Sequence, residues 1–122
     1  MTARGLLIGT GISGALAVAL GAFGAHALAE AVPAERLGTW RTASTYHLVH
    51  VLAMGLSGVL SRQGGRVEGA GMLFLIGTLL FCGSLYGLVL LDMPILGAIA
   101  PLGGLAFIAG WVWMAWVCWR EG

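Results

Sequence analysis

Three histidines, two tyrosines and a lone aspartate hold most of the reactive chemistry in this apolar chain. In "STYHLVH", Tyr46, His47 and His50 open a stretch, "LVHVLAMGLSGVL", that otherwise suits hydrocarbon. Residues three apart on a helix share a face, so the two imidazoles point the same way. Three chemistries compete for them. Neutral rings can donate and accept hydrogen bonds, to Tyr46, to Asp92 or to a carbonyl freed near Pro101, and so tie helices together. With His26 as a third ligand, His47 and His50 could hold zinc, copper or haem iron, which imidazole suits. One of them could instead titrate near neutral pH as a proton relay.

The elements that must position these groups follow from composition. Of 122 residues 59% are hydrophobic and only 9% charged, and the mean hydropathy is +0.96. A soluble domain carries about one quarter charged residues, so this is an all-α membrane protein. A net charge of +1 without a basic cluster excludes nucleic acid as a partner. Spanning helices need about 20 apolar residues. Four stretches qualify, at residues 6–29, 44–61, 69–91 and 95–119, and they form one four-helix domain over residues 1–122. The first resembles a secretory signal ending near "AHALA", but its apolar run exceeds the ~7–15 residues of a signal core.

Arginine placement orients the bundle, because arginine-rich flanks and short loops stay in the cytoplasm. Arg4, Arg62, Arg66 and Arg120 fall on one side, Arg36 and Arg41 on the other with Glu30, Glu35 and Asp92. Both termini are therefore expected inside, in a bacterial cytoplasmic membrane. The outward connection "EAVPAERLGTWRTAS" is too long for a tight turn, and with Leu37 and Trp40 it reads as a short interfacial helix between spans one and two. "LDMP" is tight, so spans three and four form a hairpin. Among the late tryptophans, Trp113, Trp116 and Trp119 suit the interface, whereas Trp111 lies deeper and suits packing.

On this topology the polar residues gather in the outer half: His26, Tyr46, His47, His50, Tyr86, Asp92, and the break expected at Pro101, which cannot donate to Gly97. Intramembrane ionisable groups face the bundle interior or a water-filled cavity, so these seven define an expected ligand pocket. Thr10, Ser13 and Thr78 read as quiet inner-half residues. "GTGISG" matches G-x-G-x-x-G but follows no strand, which rules out a dinucleotide loop. Gly14, Ala17 and Gly21, Gly83 with Gly87, and Ala106 with Gly110 read as close-packing ridges, for the core or for a second copy or larger membrane complex. Cys82 and Cys118 have no metal or redox spacing.

"GAFGAHAL", "WRTASTYHLVHVLA", "LFCGSLYGLVL" and "GAIAPLGGLAFIAGW" together resemble the landmark segments of the domain of unknown function 423 family of small membrane proteins, which includes the eukaryotic transmembrane protein 256. The resemblance runs in order over nearly the whole chain. It implies a four-helix membrane protein with motif positions at His26, Trp40, Tyr46, His47, His50, Ser84, Tyr86, Pro101 and Gly104, and it implies no reaction or cofactor. The family pattern carries Thr before the proline where this chain has Ala100, so that hydroxyl is missing here. No nucleophile, base and orienter fall in catalytic order. The reading is thus a non-enzymatic protein that binds a ligand or partner, or serves as an accessory subunit in the lipid bilayer. Metal or haem binding and proton-coupled transport of a small solute are the alternatives.

Overall fold

A computed structural model describes all 122 residues, and they form four antiparallel helical spans without a strand. Helix α1 (Ala3–Phe23) continues through a π turn at Gly24–Leu28. Helix α2 (Ala34–Arg62) is uninterrupted. The third span is α3 (Glu68–Gly77), a π turn (Thr78–Cys82) and α4 (Gly83–Leu91). A 3₁₀ turn (Pro94–Ala98) leads into α5 (Ala100–Glu121). By length and composition all four spans can cross a membrane.

Local chemistry sets the ends. Thr2 caps α1 by accepting from the Gly5 N–H at 3.1 Å. Helix α2 stops where Gly64 adopts φ +98°, and the Gly65 and Gly64 N–H groups return to the carbonyls of Leu60 and Ser61. That is the bonding of a Schellman motif, which needs a left-handed residue after the helix. Asp92 plays the same part after α4 with φ 52°; Asp tolerates this region better than most residues. The tight hairpin expected at "LDMP" forms there.

Two expectations change. The segment read as a separate interfacial helix is the start of α2 itself. Trp40, expected at the outer surface, is 1% exposed, and its indole N–H donates to the Leu20 carbonyl at 2.9 Å. The ring lies directly against Gly24, so the π turn of span one wraps a tryptophan of span two. Pro101 likewise does not interrupt a helix. It stands in the first turn of α5, where a missing N–H costs nothing, and the break lies before it.

Helix α2 packs against α1, α3 and α4, and α5 packs against α3. The core runs through Leu6, Trp40, Met54, Phe74, Tyr86 and Phe107. The closest crossing of spans three and four is at Gly103, against the backbone of Phe81 in the second π turn, and at Gly77, against Phe107. Among the expected ridges only Gly110 is comparably tight, at 2.7 Å from Phe74 for an added Cβ; Gly21 and Gly83 face open space.

Candidate functional site

Because α2 begins ten residues earlier than the second expected span, His47 and His50 straddle its midpoint and do not open it. Both are buried, at 5% and 4% exposure. The His47 Nε2 lies 2.9 Å from Ser13 Oγ on α1, and its Nδ1 lies 3.0 Å from the Tyr86 hydroxyl on α4. The His50 Nδ1 lies 2.7 Å from the Tyr46 carbonyl one turn back, and the Trp111 Nε1–H of α5 meets its Nε2 at 3.1 Å. Two imidazoles thus connect all four spans.

The partners fix what each ring can be. A carbonyl only accepts and an indole N–H only donates, so His50 carries its proton on Nδ1 and leaves Nε2 bare. A second proton would set N–H against N–H. His47 is different, because each hydroxyl beside it can donate or accept, and either tautomer satisfies both bonds. Aromatic rings close the space around the pair. His50 stacks on Phe107 with centroids 3.5 Å apart, and Tyr46 packs at 4.7 Å from Phe81. Ser44, one turn before His47, keeps its hydroxyl oxygen out of solvent without a hydrogen-bond partner.

Several expected site residues lie elsewhere. His26 is exposed in the first π turn, and no three His, Cys, Asp or Glu side chains gather as a metal would require. The three-histidine ligand set is therefore corrected: His26 is apart, and all four nitrogens of the other two rings already have protein partners. Tyr46 contributes its carbonyl, while its ring is 44% exposed. Asp92 is paired with Arg36 at 3.0 Å on the surface, and Pro101 is exposed. Neither reaches the histidines. The principal cavities lie at the helix ends; one is lined by Asp92 with Arg36 and Val89, and none by His47 or His50, which sit in a buried polar centre near mid-length.

Two members of that centre, Ser13 and Trp111, escaped sequence reasoning. The sequence reads Ser13 as quiet and Trp111 as packing. Spacing held a signal for both: Leu6, Ser13 and Ala17 follow one helical face, and Phe107, Gly110, Trp111 and Met114 form another. Leu6, Ala17, Phe107, Gly110 and Met114 are indeed buried.

Four apolar spans closed by such ties define a small multi-pass membrane protein. A family model described as "Protein of unknown function (DUF423)" matches residues 20–104. The chain is 45% identical over 104 residues to the UPF0382 membrane protein YwdK of Bacillus subtilis, covering 83% of this chain and 85% of that relative. It is 41% identical over 116 residues to the UPF0382 inner membrane protein YgdD of Escherichia coli, covering 93% and 88%. The chain therefore belongs to the DUF423 family, as its landmark segments implied. No solved structure matches it.

Proposed function

We propose that this protein is a non-enzymatic accessory subunit of the membrane, with both termini in the cytoplasm, that binds a partner through its lipid-facing surface. The observation that carries the reading is the saturation of His47 and His50. A metal or ligand needs a nitrogen it can reach, and here three of the four nitrogens hold a neighbouring span while the fourth, His50 Nδ1, holds the Tyr46 carbonyl of its own helix. The polar centre then serves rigidity, and recognition falls to the outside. Span one is the least enclosed, with 11% of its most apolar stretch buried against 44% for spans two and three. A photo-crosslinking residue at Ile12 or Val18, both more than half exposed, is expected to yield a discrete protein adduct in cells, while one at buried Val51 yields none. Adducts to lipid alone from the exposed positions would count against the proposal. So would stoichiometric metal or a Soret band that disappears in the His47→Ala/His50→Ala variant.

One observation favours a second reading, proton-coupled solute transport. Hydroxyl, imidazole and hydroxyl stand in line at Ser13, His47 and Tyr86, and such a chain passes a proton by exchanging tautomers. Uptake by liposomes that depends on pH and is lost in His47→Gln would support it; flux indifferent to pH would dismiss it.

A further inference from the structure

The two ends of the bundle spend their charges differently. At the outer end Arg36 is paired with Asp92, the one ion pair in the molecule. At the opposite end Arg4, Arg62, Arg66 and Arg120 have no carboxylate within ion-pair distance, although Glu68 and Glu121 are near in sequence. The fold sorts these four into two clefts. Arg4 and Arg62 line one beside Leu7 and Ile8. Arg66 and Arg120 line the other, of about 400 Å³, with Trp113, Trp116, Val117 and Glu121.

The second cleft is the more firmly built. Arg66 precedes Val67, which is 1% exposed and anchors the connection. Trp113 lies against Gly69, where an added Cβ would come within 2.8 Å of the indole. The Arg120 guanidinium rests over Trp116, 5.0 Å from the ring centroid, an attraction that orients it. Two cations, Arg66 from the connection between spans two and three and Arg120 from span four, therefore face one space walled by tryptophan. Guanidinium groups match phosphate oxygens in pairs, and indoles settle at headgroup depth. Basic clefts between spans at the membrane surface suit anionic headgroups.

We propose that the cleft between Arg66 and Arg120 holds the phosphate of an anionic phospholipid such as phosphatidylglycerol, with Trp113 and Trp116 against the upper acyl chain. Glu121 on the rim opposes a second negative charge, which favours a headgroup with a single phosphodiester. This site is independent of the partner proposed above, since it lies away from the exposed side chains of Ile12 and Val18.

The test is native mass spectrometry of the full chain in detergent with equal amounts of phosphatidylglycerol and phosphatidylethanolamine. Each interfacial arginine is expected to contribute about fivefold in anionic preference. The wild type should prefer phosphatidylglycerol by at least that factor. Arg66→Gln/Arg120→Gln should abolish the preference with helix content and melting unchanged, Arg120→Lys should keep part of it, and Arg4→Gln/Arg62→Gln should keep most of it. Equal binding of both lipids by the wild type overturns the proposal, as does equal loss from either double variant, which would mean a diffuse field. Displacement of the lipid by inorganic phosphate at constant ionic strength assigns the cleft to a soluble phosphate and overturns it too. If the double Gln variant unfolds, Arg120→Lys decides: a preference indistinguishable from wild type removes the guanidinium's role.

Discussion

His50 is defined by partners that leave it no choice of proton. Nitrogen NMR of labelled protein should therefore find one interior histidine with a protonated Nδ1 and a bare Nε2. A second proton on that ring at neutral pH would contradict the network. Trp111→Phe removes the donor and orphans Nε2, and a buried group without its partner costs about 1–3 kcal/mol. Membrane hydrogen bonds average nearer 0.6 kcal/mol, so a loss of about 1 kcal/mol in unfolding measurements is expected. His47→Leu should cost more, because it strands both Ser13 and Tyr86; a double-mutant cycle with Ser13→Ala measures the shared part. The shared face of His47 and His50 was legible from their spacing alone, although the sequence set them near the outer start of span two and not at mid-length. Two of their partners, Ser13 and Trp111, were not, because a hydroxyl and an indole that reach across from other spans depend on helix rotation, which hydropathy does not encode.

At the scale of the helix, contact with backbone decides which glycines matter. An added methyl at Gly103 would strike the main chain of Phe81, which cannot rotate away, whereas Gly83 faces nothing within 4 Å. Gly103→Ala is expected to destabilise by about 1–3 kcal/mol, the range of overpacked cores. Gly83→Ala should be neutral or gain up to about 1 kcal/mol from helix propensity. Thermal or denaturant unfolding in detergent separates the two, and equal effects would refute the crossing described. Sequence reading found the small-residue ridges, and Gly14, Gly87 and Gly110 do meet neighbouring side chains, but Gly21 and Gly83 face open space. Counting every third or fourth residue assumes an unbroken α-helix, and both the first and third spans contain a π turn. The second span was cut short for a related reason. Glu35, Arg36 and Arg41 lower the hydropathy of a stretch that is nonetheless helical from Ala34.

For the whole molecule, four spans were plain in the sequence because apolar length alone defines them, and so was the tight turn at "LDMP" between the last two. The asymmetry of charge was equally plain, and it carries the expected orientation. In a variant lacking Cys118, Gln63→Cys should resist an impermeant maleimide in intact cells, while Ala31→Cys should react. The reverse pattern would turn the protein over in the membrane. The Arg36–Asp92 pair joins the start of the second span to the turn between spans three and four, but Asp92 is 84% exposed there. Exposed pairs are worth about 0–1 kcal/mol, so Asp92→Asn should leave assembly intact.

The π turn at Thr78–Cys82 has a consequence for chain length. A π turn stores one more residue than an α-helical path of the same rise. Elsewhere in a span, losing a residue rotates everything beyond it by about 100° and turns a buried face toward lipid. Within this turn, deleting Leu79, which is 65% exposed, would convert it to ordinary helix and keep Phe74 on one side and Tyr86 on the other in register. Spans of unequal residue count can then enclose the same interior, so a relative one residue shorter here need not differ in architecture.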